Sequence, residues 1–154
     1  MISLPTTDQV ILDCRRELLD VIGQEVHSDA AKVSVQMLEN VLRNAATRAA
    51  HEIAWMRDET LAMESYARDT LAALPSAPGV ADALAALDAG PRQSLHLQDM
   101  ATTYSLAGEA LSCALEAALT AGHAELSARA ATLLAARSAT EVQIMGEWGF
   151  VGRG

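Results

Sequence analysis

The chain has 154 residues, 51% of them hydrophobic but only 3% aromatic, and its 20 acidic side chains against 11 basic ones give a formal net charge of -9. An apolar share of that size without polar low complexity argues against disorder, sparse β-branched and aromatic residues argue against a β-sandwich or barrel, and the acidity disfavours a dedicated nucleic-acid binder. Alanine is the largest part of the apolar share, with 31 residues against a single phenylalanine, Phe150. The length suits one domain, so a single helical domain over 1–154 is expected, with 1–5 and 149–154 as terminal tails.

Thr6 or Thr7 caps a first helix that runs to about Ile22 or Gly23. Its Val10, Ile11, Cys14, Leu18, Val21 and Ile22 recur at the three–four spacing of one buried stripe. Ser28 or Asp29 caps the next helix. Residues 29–74 contain neither Gly nor Pro, and Leu38, Val41, Leu42, Ala45, Ala49, Ile53, Met56, Met63, Ala67, Leu71 and Leu74 form its stripe. The pattern predicts one unusually long helix of about 68 Å at about 1.5 Å per residue, the alternative being two helices that meet around 57–60. An unbroken helix of that length asks for a partner to cover it.

The run Pro75, Ser76, Ala77, Pro78, Gly79 is the clearest punctuation. A short alanine-rich helix over about 80–87 follows, or a linker packed on the surface, ending at Gly90 and Pro91. The next helix, about 94–121, has a stripe of Leu97, Met100, Ala101, Tyr104, Ala107, Gly108, Leu111, Leu115, Ala118 and Leu119, and Gly122 ends it. A last helix from about 125 to 145 or 147 presents Leu126, Ala130, Leu133, Leu134 and Ile144. The predicted fold is therefore all-α: an antiparallel bundle of four main helices plus one short one. Alanine faces permit close helix approach, but each buried CH₂ is worth only about 0.8 kcal/mol. So thin a core favours a homo-oligomer, most simply a homodimer.

The candidate functional residues cluster in the long helix. At 100° per residue, Arg48, Glu52, Trp55, Glu59 and Tyr66 lie along one flank of its apolar stripe, with His51 further out. They read as an interhelical ion-pair network or interface seam. The alternative is a polar–aromatic pocket in which Glu52 or Glu59 acts as acid or base and Arg48 clamps an anion. Arg137 and Glu141, four apart in the last helix, are expected to face Glu52 or Glu59 across the bundle, with Arg129 at the margin and Tyr104 on the neighbouring helix.

No catalytic residue, metal or cofactor is assigned. A carboxylate-bridged di-metal bundle needs Glu-x-x-His, which does not occur, and there is no phosphate loop, Gly-x-Ser-x-Gly elbow or dinucleotide fingerprint. Cys14 and Cys113 read as reduced core thiols. No signal peptide or membrane-spanning run is evident, so a cytoplasmic protein that neither binds nucleic acid nor inserts into a membrane is expected.

Segment 10–19 (Val10, Ile11, Leu12, Asp13, Cys14, Arg15, Arg16, Glu17, Leu18, Leu19) and segment 36–43 (Gln36, Met37, Leu38, Glu39, Asn40, Val41, Leu42, Arg43) give two helices in a layout that resembles small all-helical bacterial proteins of unknown function. Those proteins are encoded beside aminoglycoside-phosphotransferase-like kinases and acyl-CoA dehydrogenases. The resemblance covers about the first 75 residues. It implies an accessory role in acyl-CoA or sterol-type catabolism and carries no catalytic residues over.

Segment 138–150 resembles the end of the last helix of acyl-CoA dehydrogenases, where Gln-Ile-x-Gly-Gly-x-Gly-Phe/Tyr lies near the flavin of a neighbouring subunit. Gln143, Ile144, Gly146, Gly149 and Phe150 match, whereas Glu147 stands where that family has a second glycine. With no β-domain or substrate-binding region in the chain, this segment is expected to be a helix end tucked against a partner.

Overall fold

The computed structural model describes residues 4–145, and every regular element among them is helical. In chain order these are α1 (Thr7–Glu17), a π-helical turn (Leu18–Ile22), α2 (Gly23–Glu25), α3 (Asp29–Ala73), α4 (Val80–Ala89), α5 (Leu97–Thr120) and α6 (Ala124–Met145). The fold is all-α, and no helix is long and apolar enough to cross a membrane. Helix α3 is a single element of 45 residues with no break around 57–60. The chain divides into two compact units, Met1–Glu52 with Val142–Gly154, and Ile53–Glu141, and α3 contributes to both.

In the first unit Thr6 caps α1, its backbone N–H donating to Gln9 Oε1 at 3.0 Å. Ser28 Oγ accepts from the Ala31 N–H at the start of α3. Arg15 of α1 reaches the buried Glu39 of α3, with Nε at 2.8 Å and Nη2 at 2.6 Å from Oε1. The Gly23 N–H donates to the Leu18 carbonyl, the five-residue step of a π-turn. One added residue rotates the following side chains by about 100°. That explains a departure from the expected stripe: Leu18 is buried, but Val21 and Ile22 face solvent. Cys14 is likewise exposed, so it is not the core thiol its apolar setting suggested. In the part of α3 up to Glu52 the expected stripe residues Leu38, Val41 and Ala49 are exposed and the buried positions are Glu39 and Ala46; Ile53, the next stripe residue, is exposed as well.

The second unit holds the apolar core. Met63, Tyr66 and Ala67 of α3 pack with Val80, Ala83, Leu84 and Leu87 of α4, a row of Ala107, Ala110, Leu111, Ala114 and Ala118 on α5, and Leu126 and Ala130 of α6. Half of these are alanines. Helix α4 is thus a core element, not a surface linker, because its apolar residues at 80, 83, 84 and 87 share one face. On α5 the buried row is shifted from the expected one: Thr103, Ala110 and Ala114 lie inside, whereas Leu97 and Leu119 are exposed. On α6, Leu134 is also exposed.

Two glycines fix the connections. Gly79 starts α4 at φ 74°, and a Cβ there would sit 3.4 Å from Cys113 Sγ. Gly122, at φ 62°, closes α5 with His123 N–H donating to Ala118 O and its own N–H to Leu119 O. Both bonds satisfy carbonyls that a helix end leaves open.

Four charges pin α3 to α4. Arg68 Nε donates to the buried Glu64 Oε1 at 2.8 Å and Arg68 Nη2 to Asp88 Oδ1 at 2.6 Å, while Arg92 bonds both Glu64 and Asp88. Burial pulls the Glu64 carboxyl upward, but the hydrogen bonds from Arg92 and Arg68 outweigh it and hold the group below the ordinary glutamate value of 4.5. A carboxylate lowered in the folded state stabilises above its unfolded value, and the contribution disappears as pH falls through the folded one. Glu64→Gln is therefore expected to cost about 1–2 kcal/mol at pH 7 and much less at pH 3. Urea denaturation of both proteins at the two pH values checks this.

Candidate functional site

In the second unit α3 and α6 run side by side with a cleft of about 560 Å³ between residues 58–66 and 129–140. Its middle is lined by Ala62, Leu133 and Ala136. Small side chains at 62 and 136 leave the space open.

Glu59, Tyr104 and Arg137 form a closed polar triangle at one end. The Tyr104 hydroxyl donates to Glu59 Oε2 at 2.6 Å, Arg137 Nε donates to the same oxygen at 3.2 Å, and Arg137 Nη2 donates to the Tyr104 oxygen at 3.0 Å. The guanidinium also lies 5.8 Å from the centroid of the Tyr104 ring, within cation–π range. The three residues come from α3, α5 and α6, so the triangle fixes the mutual register of three helices. Burial, the Glu59 bond and the Glu59 charge hold the Tyr104 phenol above its usual value, against the opposing pull of Arg137. Burial lowers Arg137, but Tyr104 and Glu59 outweigh it and keep the guanidinium more firmly protonated.

Near the other end Arg129 Nη2 donates to Asp69 Oδ2 at 2.5 Å, and both side chains are half exposed. The Asp69 bond, only partly opposed by burial, raises Arg129 above its ordinary value. Tyr66 lines the same cleft. Its side chain is buried in the core, and its hydroxyl has no hydrogen-bond partner.

The residues singled out from the sequence thus fall in different places. Arg48 and Glu52 form an ion pair within the first unit. Trp55 is half-buried. Glu59 meets Arg137 and Tyr104, and Glu52 does not share those partners. Tyr66 is not on a polar flank but in the core at 2% exposure, because it continues the buried turn of Met63, Ala67 and Thr70. Glu141 stays exposed while Arg137, four residues earlier, turns inward; an exposed pair at that spacing is worth little beside three buried-edge bonds. His123 Nδ1 accepts the Leu126 N–H at the start of α6. Gly146, Glu147, Trp148, Gly149 and Phe150, which carried part of the C-terminal resemblance, lie outside the described residues.

The network of Glu64, Arg68, Asp88 and Arg92 was not anticipated. Its signal was present as two opposite-charge pairs four residues apart, 64 with 68 and 88 with 92. Comparison of the chain with family models, curated proteins and solved structures gives no match.

If the triangle locks three helices, Tyr104→Phe and Arg137→Gln should each lower stability by about 1–1.5 kcal/mol, and the double variant should lose clearly less than the sum. A double-mutant cycle in urea measures the coupling; strict additivity would show that the three side chains do not act together.

Proposed function

We propose that the chain is a non-catalytic accessory protein of the cytoplasm that works by association, as a homodimer formed through the first part of α3. The observation that carries this reading is an unpaired apolar face. Val35 lies beside Gly23, 3.7 Å from where a Cβ would stand, which marks the side of α3 turned toward the N-terminal helical segment. At 100° per residue, Val33, Met37 and Val41 point roughly the opposite way, and they are 56%, 65% and 59% exposed. Among its described residues, the unit they belong to buries Leu18 and Ala46 and no other apolar side chain. A helix apolar on two faces suits a bundle interior, and covering a Val or Met fully is worth about 1.5–3 kcal/mol.

A second copy fits this face because the face is self-complementary. Between Ala30 and Asn44, the positions within about 60° of Met37 are Val33, Ser34, Asn40 and Val41, none of them charged. Two chains of net charge -9 would there meet without like charges opposed, as an isologous twofold contact requires. The exposed Arg48, paired with Glu52, lies at the end of the row.

Both acid–base candidates are already engaged, Glu52 by Arg48 and Glu59 by Tyr104 and Arg137, which supports a role without chemistry. The resemblance of segments 10–19 and 36–43 supports placing that role beside acyl-CoA enzymes in lipid catabolism.

Sedimentation at micromolar concentration is expected to give a dimer, and Met37→Glu or Val41→Glu to weaken association at least 100-fold while keeping the helical circular-dichroism signal. A compact wild-type monomer with a low frictional ratio would sink the proposal.

A further inference from the structure

The cleft between α3 and α6 has two unlike ends, and the difference tells what it can hold. Arg129 and Arg137 stand eight residues apart on α6, about 12 Å along its axis. Arg137 is committed: half-buried, it bonds Glu59 and Tyr104. Arg129 is not. Among the described residues its hydrogen bond goes to the half-exposed Asp69, with the Glu125 charge also acting on it, an arrangement that holds a guanidinium loosely and engages few of its five N–H donors. Tyr66 lies at this same end, close enough to Arg129 to act on it electrostatically. Its buried hydroxyl is unpartnered, a costly condition for a polar group withdrawn from water. Between the two ends the lining is Ala62, Leu133 and Ala136 with the hydroxyl-bearing Ser65 and Thr132, and no charged group.

We propose that this cleft binds a small unbranched carboxylate, its oxygens accepting from Tyr66 and Arg129 and its alkyl chain lying over Ala62, Leu133 and Ala136 toward the Arg137 end. A carboxylate supplies the acceptor that the Tyr66 O–H lacks and presents two oxygens to a planar guanidinium, the geometry arginine pairs with best. The apolar middle rejects a second charge. Length follows from the spacing: an extended chain with bonds of about 1.5 Å advances about 1.3 Å per carbon, so about 12 Å accommodates roughly eight to ten carbons. The volume of about 560 Å³ falls within the range of small-molecule sites. The inference rests on the second unit alone and does not depend on dimerisation through Met37 and Val41.

Titration calorimetry of the full chain with sodium octanoate and sodium decanoate tests it. Saturable binding of one carboxylate per chain is expected, with 1-octanol at least tenfold weaker. Tyr66→Phe and Arg129→Gln should each weaken decanoate about tenfold, the effect of one lost hydrogen bond to a charged group. Tyr66→Phe should leave the melting temperature unchanged or higher, since it removes an unpaired buried hydroxyl. Ala136→Leu, which keeps a good helix former at an exposed position, should abolish binding with helicity retained, and should leave sedimentation unaltered. The proposal is overturned by non-saturating heats up to millimolar carboxylate, by equal affinity for octanol and octanoate, or by full binding to Ala136→Leu. It is equally overturned if Ala136→Leu changes only the sedimentation of the ligand-free protein, for then the groove is a protein contact.

Discussion

Close approach of helices is the constraint on which the described structure depends. A chain whose commonest apolar residue is alanine gains little from each such side chain it buries, so it must bring backbones together to exclude water. In the unit Ile53–Glu141 that is what happens: Ala107, Ala110, Ala114 and Ala118 form a seam along α5, and the larger Met63, Leu84 and Leu87 close on it from α3 and α4. The same economy makes the cleft. Where Ala62 and Ala136 line the gap between α3 and α6, about 560 Å³ stays unfilled.

Smooth alanine faces do not specify register well, since sliding one helix along another changes few contacts. Charged residues supply the missing specificity. Glu39 accepts from Arg15, Glu64 from Arg68 and Arg92, and Glu59 from Arg137 and Tyr104. Each carboxylate sits on α3, and each has a donor on another segment of its own unit. Such buried-edge pairs add modest net stability because desolvation offsets most of the attraction, but a displaced register would leave them unsatisfied. Arginine suits the task through its fixed fork of donors, and a single lysine in the sequence, Lys32, leaves nearly all the positive charge to it.

Much of this was legible in the sequence, and the failures are instructive. The absence of Gly and Pro over residues 29–74 indicated the 45-residue α3, and Thr6, Ser28 and Gly122 marked helix ends where caps and left-handed closures occur. Periodicity misjudged burial in two ways. The π-turn at Leu18–Ile22 has no sequence signature of its own, and it turned Val21 and Ile22 outward. On α3 the apolar residues near Val41 occupy more than one face, and periodicity cannot say which face α1 takes; Arg15 and Glu39 decide that. For the site, Glu59, Tyr104 and Arg137 were each visible as candidates, but their union needed three helices, and Tyr66 passed for a polar-flank residue until its neighbours Met63 and Ala67 placed it inside.

The sequence by itself determined an all-α protein with one very long helix, small-residue packing faces and a net acidic charge, because these follow from local propensity, punctuation and composition. Tertiary structure alone decided which of several apolar faces is covered, which arginine meets which carboxylate, and that Tyr66 and Arg129 share one end of an open cleft. Those outcomes turn on contacts between residues as much as 78 positions apart, and no periodicity along the chain encodes the partner at the other end.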